Sequence, residues 1–105
     1  MKVRLTEAAN QDLQDIVHYI KQNDCKEQAN KILDRLENSL YSLQQLPSRG
    51  VRVRELFEFG LNVYREIFCD CYRIIYKVNA ETVRVYLIVD KRRDLVPLLT
   101  QRLID

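Results

Sequence analysis

The feature that most constrains the fold of this chain is a change in the spacing of its apolar residues near Pro47. Before Pro47, apolar residues recur at every third or fourth position, which is typical of helices with one buried face. After Pro47, β-branched and aromatic runs dominate, and three of them lie in residues 63–93, separated by short polar turns. Such runs are typical of an antiparallel meander. The chain is therefore predicted to place its long helices before its sheet.

The first half of the chain predicts one strand and two helices. Residues 2–5 alternate polar and apolar side chains, so we expect a strand at an edge of the sheet or inside it. Thr6 is a suitable N-cap for the first helix. The second helix ends before Pro47, because the residue before a proline avoids the helical region. A tight connection between the two helices predicts an antiparallel hairpin. Their apolar stripes are Ala9, Leu13, Ile16, Val17 and Ile20, and then Ala29, Ile32, Leu33, Leu36, Leu40 and Leu43.

These elements predict an α+β fold. It comprises an N-terminal strand, an antiparallel helical hairpin packed on a mainly antiparallel sheet, and a short C-terminal helix with Leu95, Leu98 and Leu99 on its apolar face. The chain has 105 residues, of which 47% are hydrophobic and 30% are charged, so we expect one globular domain spanning residues 1–105. The net charge of +2 is too small to indicate nucleic-acid binding by itself.

Strand alternation sorts the side chains of the sheet into two faces. We expect the helices to cover the face that carries Tyr72, Ile74, Tyr76, Val78, Val83, Val85, Leu87 and Val89. The opposite face should point outward and present Arg73, Lys77, Arg84 and Tyr86. Basic residues are concentrated in this half of the chain, since residues 49–105 hold eleven Lys or Arg and eight Asp or Glu. The outward face is therefore a candidate surface for an anion or a charged partner. Between the helices and the sheet, Leu56, Phe57, Phe59 and Leu61 are expected to cover the edge of the core.

The cysteines and the absence of a targeting pattern indicate a location. The chain has three cysteines, Cys25, Cys69 and Cys71, and no visible signal peptide. Because an odd number of cysteines cannot all pair within one chain, we expect reduced thiols and a cytoplasmic protein. No apolar run is long enough to span a bilayer, and no membrane association is expected. Cys69 and Cys71 lack a second pair of ligands at suitable spacing, so we expect no metal and no cofactor.

Several short motifs resemble a known family, and their order and spacing extend over almost the whole chain. They are Leu5-Thr6-Glu7-Ala8-Ala9 with Asp12-Leu13 and Ile16, Pro47-x-x-Gly50, Glu55-Leu56, Gly60, Tyr64-Arg65, Tyr72-Arg73-Ile74-Ile75-Tyr76 and Arg92-Arg93-Asp94. With these motifs the chain resembles the RelE/ParE superfamily of toxins from type II toxin–antitoxin systems. The opening motif, the long helical hairpin and Tyr-Arg-x-x-Tyr are more similar to the ParE branch.

The resemblance implies a toxin that a cognate antitoxin neutralises, in a toxin–antitoxin hetero-oligomer. The ParE branch poisons DNA gyrase by binding it and stalling it on cleaved DNA. The RelE branch is the first alternative and cleaves messenger RNA on the ribosome. The second alternative is an inactive member that binds its antitoxin and has a regulatory role. The expected target-binding residues are Arg65, Arg73, Lys77, Arg84, Tyr86, Arg92 and Arg93.

The residues themselves bear on the choice between these alternatives. RNA cleavage needs a general base, a proton donor and cations near the phosphate. Arg65, Arg73 and Arg84 are the candidate cations, and Tyr86 is the candidate proton donor. His18, the only histidine, is expected on a helix away from the sheet, and Asp90 stands where the family often has a histidine. The other candidate bases each lie near an arginine that they can balance, and these are Glu55, Glu58 and Glu66. The missing base favours a binding poison over a nuclease.

Overall fold

A computed structural model describes residues 1–103 of the chain. Ile104 and Asp105, the last two residues of the predicted domain, lie outside the described residues, and the single domain over 1–105 stays a prediction. The elements in chain order are β1 (Lys2–Leu5), α1 (Glu7–Asn23), α2 (Lys26–Gln45), β2 (Val51–Arg52), α3 (Arg54–Phe57), β3 (Tyr64–Cys69), β4 (Tyr72–Asn79), β5 (Thr82–Asp90) and α4 (Leu95–Arg102).

The five strands form one sheet in the order β1-β5-β4-β3-β2. Strand β1 pairs with β5 in parallel and lies at one edge of the sheet, whereas all other neighbours pair antiparallel. The predicted α+β class, with its mainly antiparallel sheet and its short C-terminal helix, is confirmed. In the described part of the chain, no helix combines the length and the apolar character that crossing a membrane requires.

Helices α1 and α2 cover one face of the sheet, called the helix face here. Thr6 caps α1 as predicted, because its hydroxyl oxygen accepts a hydrogen bond from the amide of Ala9 at 3.0 Å. The apolar stripes of both helices pack on alternate residues of the central strands, among them Tyr72, Ile74 and Tyr76. The predicted orientation of β4 is therefore confirmed. The buried residues of this first core are Ala9, Leu36, Leu40, Leu43, Ile67, Cys69, Ile74, Tyr76, Val83, Val85 and Ile88.

The opposite face, called the second face here, is half covered by a second core. Helices α3 and α4 lie over it and bury apolar side chains from β3, β4 and β5. The prediction that the whole of this face points to solvent is therefore wrong. Apolar residues lie at one end of this face together with Arg73, and Lys77 and Arg84 lie at the other end. The buried residues of this second core are Val53, Leu56, Tyr64, Ile75, Tyr86, Leu87, Val89, Leu95 and Leu99.

A β-bulge in β5 changes which residues belong to each face. Ile75 pairs with Leu87 while Tyr76 pairs with Val85, so Tyr86 is an extra residue without a partner in β4. One extra residue reverses the alternation of everything that follows it. Leu87 and Val89 were predicted on the helix face, but they lie in the second core. Their predicted orientation is therefore wrong, and Ile88 takes the place on the helix face.

The turn between α2 and β2 is built around the hydroxyl group of Tyr76. This fully buried hydroxyl donates a hydrogen bond to the carbonyl of Pro47 at 2.7 Å and accepts one from the amide of Gly50 at 2.9 Å. A Cβ atom at position 50 would lie 2.5 Å from the Tyr76 hydroxyl oxygen and 2.7 Å from the carbonyl oxygen of Glu66. Glycine is therefore needed here for close approach, which gives the Pro47-x-x-Gly50 motif a structural reason.

Candidate functional site

The seven predicted site residues do not form one site. Arg65 lies on the helix side of the sheet, opposite Tyr76, and donates a hydrogen bond to the carbonyl of Gly50 at 2.8 Å. Arg92 and Arg93 lie in the loop between β5 and α4. The remaining four occupy the second face, but in two different environments, and they are Arg73, Lys77, Arg84 and Tyr86.

Arg73 lies in a buried ionic cluster with two glutamates. Its Nη1 and Nη2 atoms bind the carboxylate of Glu55 at 2.8 and 3.0 Å. Its Nε and Nη2 atoms bind the carboxylate of Glu66 at 2.6 and 2.8 Å. Only 11% of the Arg73 side chain and 5% of the Glu66 side chain are exposed. The expectation that Arg73 is an outward, solvated cation is therefore wrong.

The charges of this cluster are fixed by their mutual hydrogen bonds. Hydrogen bonding to Glu55, with a further contribution from Glu66, raises the pKa of Arg73 above its usual range. The same hydrogen bond from Arg73 lowers the pKa of Glu55. Two carboxylates face one guanidinium, so the cluster carries a net negative charge. A phosphate group that approached Arg73 would be repelled by both glutamates.

The other end of the second face is open and basic. Lys77 is partly exposed and Arg84 is exposed. Each cation lies over an aromatic ring, since Lys77 Nζ is 5.8 Å from the centre of the Tyr64 ring and Arg84 Cζ is 5.6 Å from that of Tyr86. The two rings meet edge to face at 5.6 Å. Tyr86 itself is 7% exposed, so the expectation that it points outward is wrong.

The loop that carries Arg92 and Arg93 borders a cleft of about 490 Å³ between α1, the end of β5 and α4. Arg92 binds Asp90 through Nη2 and Oδ2 at 2.8 Å and through Nε and Oδ1 at 3.0 Å. These hydrogen bonds lower the pKa of Asp90 to about 2, so this carboxylate is ionised at neutral pH and is a poor proton acceptor. Arg93 is exposed and forms no ion pair with any residue that the structure describes.

One wall of the cleft contains an ion pair that was not predicted. Asp12 in α1 binds Arg102 in α4, with Oδ1 2.7 Å from Nη2 and Oδ2 2.8 Å from Nη1. Asp12 also accepts a hydrogen bond from the amide of Ile88 at 3.0 Å, and Arg102 donates one to the carbonyl of Tyr86 at 3.0 Å. These contacts tie α1, β5 and α4 together. The Asp12-Leu13 motif was the only signal of this pair, because its partner is 90 residues away.

The candidate general bases lie away from the open basic residues or are already bound. His18 is exposed on α1, which packs on the helix face. Glu55 and Glu66 both bind Arg73. Glu58, the remaining candidate base, is an exposed residue that follows α3. The arrangement therefore offers charged surfaces for binding but no base beside a free cation among these residues.

A separate apolar surface lies near the β2 edge of the sheet. Phe57, Phe59 and Leu61 were expected to cover the core edge, but they are 48%, 60% and 41% exposed, and only Leu56 of that group is buried. The prediction is therefore wrong for these three residues. Val51, Val63 and Phe68, in β2, before β3 and in β3, are also more than half exposed. Exposed apolar residues in such number are typical of a surface that binds another protein.

Comparison with known proteins identifies the family. The family described as the ParE toxin of the type II toxin-antitoxin system, parDE, matches residues 3–95. The chain belongs to this ParE toxin family. It is therefore a ParE-type toxin, and its family implies an antitoxin partner.

Among solved structures, this ParE-type toxin is similar to a chain of the chromosomal ParDE TA system from P. aeruginosa. The TM-score is 0.71 at 17% sequence identity, over 86% of this chain and 95% of the other chain. At this identity the similarity shows the fold alone. The search of curated proteins found no match.

Proposed function

We propose that this ParE-type toxin acts in the cytoplasm as a binding poison of DNA gyrase, stalls the enzyme on cleaved DNA and is neutralised by its cognate antitoxin. The observation that carries the proposal is the state of Arg73. The carboxylates of Glu55 and Glu66 bind the guanidinium group of Arg73 at 2.8 and 2.6 Å, and only 11% of the Arg73 side chain is exposed. Arg73 is therefore not available to stabilise a scissile phosphate.

The same site argues against a ribonuclease. Transfer of a proton from a ribose hydroxyl requires a base within hydrogen-bonding distance of the reacting group. His18 lies on a helix that covers the other face of the sheet, and the pKa of Asp90 is about 2. Arg65 is turned toward the carbonyl of Gly50 on the helix side. The sheet thus separates His18 and Arg65 from Arg73, Arg84 and Tyr86.

The accessible surfaces support binding to proteins. The exposed apolar residues near β2 and the arginine loop beside the cleft suit two different protein contacts. We assign the arginine loop to the gyrase subunit. An antitoxin can add an extended segment along the outer edge of β1, where a groove is lined by Leu40 and Tyr41 of α2, and a helical segment elsewhere on the surface.

The direct test uses purified gyrase, supercoiled DNA and the toxin. The proposal expects cleaved DNA to accumulate when the toxin is added and to disappear when the antitoxin is present. Arg92→Ala combined with Arg93→Ala should reduce this accumulation at least tenfold, since removing a charge from a desolvated contact costs about 2–5 kcal/mol. Lys91→Ala is the matched control, because Lys91 is an exposed cation in the same loop.

The two alternatives have distinct outcomes in cells. A ribonuclease would cleave messenger RNA during translation before any DNA damage is detectable. An inactive regulatory member would bind its antitoxin but would neither cleave RNA nor stall gyrase, and its induction would leave growth unchanged. The gyrase proposal expects DNA breaks and an SOS response, with messenger RNA intact at early times after induction.

A further inference from the structure

Three basic side chains form a row across adjacent strands on the second face. In the parallel pair of β1 and β5, Arg4 lies opposite Arg84, and in the antiparallel pair of β5 and β4, Arg84 lies opposite Lys77. The neighbours of these residues along each strand pack into the first core, so all three side chains leave the sheet on the same side. Adjacent strands are about 4.8 Å apart, so the row extends over roughly 10 Å.

The charges of this row are not neutralised by the described part of the protein. Four arginines outside the row bind carboxylates, and they are Arg35, Arg73, Arg92 and Arg102. No ion pair connects Arg4, Lys77 or Arg84 to any residue in 1–103. Like charges directly opposite each other on a sheet are destabilising, so the row lowers the stability of the folded protein.

The surroundings of the row keep it open and positive. Helices α3 and α4 cover only the apolar end of the second face. Lys2, also in β1 and opposite Thr82, adds a further positive charge beside the row. Glu66 is a carboxylate of this face, and it is bound to Arg73. Glu81, in the turn before β5, lines the same depression as Lys2 and Arg4 but forms no ion pair with either.

The shape of the row favours one class of polyanion. A 10 Å length of duplex DNA carries about six phosphate charges, enough to face three cations at once. Single-stranded nucleic acid is held largely by bases stacked on exposed aromatic rings. The rings beside the row are not available for stacking, because Tyr64 is 9% and Tyr86 is 7% exposed. The row therefore suits the backbone of a duplex better than unpaired bases.

We infer that Arg4, Lys77 and Arg84 form a contact site for the phosphate backbone of duplex DNA, without sequence readout. The choice of DNA as the polyanion rests on the proposed function, which brings the toxin next to the DNA that gyrase has cleaved. The row then contacts the duplex while other surfaces of the toxin contact the enzyme. Binding through phosphates alone is sensitive to salt and insensitive to sequence.

The test measures binding of the purified toxin to a labelled 20-base-pair duplex (about two helical turns) at about 50 and about 200 mM salt. The wild-type protein should lose about 40-fold in affinity over this range, as three phosphate contacts require. Arg4→Gln with Lys77→Gln and Arg84→Gln should bind at least tenfold more weakly at the lower salt and lose most of the salt dependence. The matched control, with the same change in net charge on α1 and α2, is Lys21→Gln with Lys26→Gln and Lys31→Gln.

Thermal melting checks that each variant is folded. If the triple variant does not fold, Arg4→Gln alone replaces it, since Arg4 makes neither an ion pair nor a cation–π contact within residues 1–103. This single change should lower the salt slope by about 0.9. Equal binding by the row variant and the helix control would overturn the inference. Equal affinity for a single strand of the same length, or for polyglutamate, would overturn the assignment to duplex DNA.

The same variants separate this inference from the proposed function. If the wild-type toxin does not stall gyrase, the proposed function fails, and binding to DNA alone still decides the inference. If the wild-type toxin does stall gyrase, the row variant should bind the gyrase subunit normally in the absence of DNA but accumulate less cleaved DNA. Equal accumulation by both proteins at both salt concentrations would contradict the DNA contact while leaving the gyrase proposal intact.

Discussion

Replacing Arg73 with alanine should destabilise the protein strongly, because it leaves Glu66 buried without its cation. The Glu66 side chain is 5% exposed and cannot regain water without local opening, whereas Glu55 is 31% exposed and can turn toward solvent. Removing one partner of a buried ion pair costs about 3–5 kcal/mol, mainly because the remaining charge is uncompensated. An outward arginine, as the strand pattern alone predicts, would cost about 0–1 kcal/mol.

Urea unfolding of the purified toxin distinguishes these two values. With a slope of about 1–3 kcal/mol per molar urea, a loss of 3–5 kcal/mol moves the midpoint by roughly 2 M. Arg84→Ala is the matched control on the same face, since Arg84 is exposed, and its midpoint should move by much less. Arg73→Met combined with Glu66→Met should recover most of the loss, because an apolar replacement of both partners is often neutral.

The pH dependence of Arg73→Ala provides an independent check. Arg73 lowers the pKa of Glu55 in the folded protein. The stability that this carboxylate contributes is therefore present at pH values above the usual pKa of glutamate, and it is lost as the pH falls through the lowered folded-state pKa. The wild-type protein should therefore lose stability in acid more steeply than Arg73→Ala. A midpoint for Arg73→Ala within the range of the Arg84→Ala control, or identical acid limbs, would refute the buried cluster.

The other predictions concern contacts between distant segments. Tyr76→Phe should cost about 1–3 kcal/mol in urea unfolding, because it leaves the buried groups of the Pro47–Gly50 turn unpaired, and an unchanged midpoint would exclude this contact. Asp12→Ala should cost about 1.5–3 kcal/mol and increase amide exchange in α4, and unchanged exchange would show that Arg102 does not depend on Asp12. Burial raises the pKa of Tyr72 to about 12, so its stabilising contribution should be present below pH ~10 and be lost as the pH rises toward that value. In a spectroscopic titration, Tyr72→Phe should remove one phenol that ionises above the usual pH range of tyrosine, and an unchanged curve would contradict this assignment.

The large elements could be predicted from the sequence because each depends on local signals. The helical stripes end at Pro47, the Thr6 cap lies where its pattern places it, and β4 keeps strict alternation from Tyr72 to Val78. The orientation of this strand was therefore predictable. The bulge at Tyr86 was not, because Val85 to Val89 is a continuous apolar run that does not show which side chain belongs to which face. The reversal becomes visible only in the pairing with β4.

The chemistry of the site depends on contacts that separation in sequence conceals. Strand alternation predicts that Arg73 points away from the helix face, and this face assignment is right. The residues that cover Arg73 come from other segments of the chain. Glu55 lies 18 residues earlier in the short helix α3, which is not among the elements that the sequence predicts. The pairing of Asp12 with Arg102 spans 90 residues. A pattern that identifies a charged residue does not reveal whether another segment neutralises it.

We propose that this ParE-type toxin stalls gyrase by binding and performs no cleavage of its own. The measurement that tests it most directly incubates the purified toxin with gyrase and supercoiled DNA in one reaction, and with translating ribosomes and messenger RNA in another. We expect cleaved DNA that remains covalently attached to gyrase in the first reaction and intact messenger RNA in the second. Cleaved messenger RNA in the second reaction, with no cleaved DNA in the first, would contradict it.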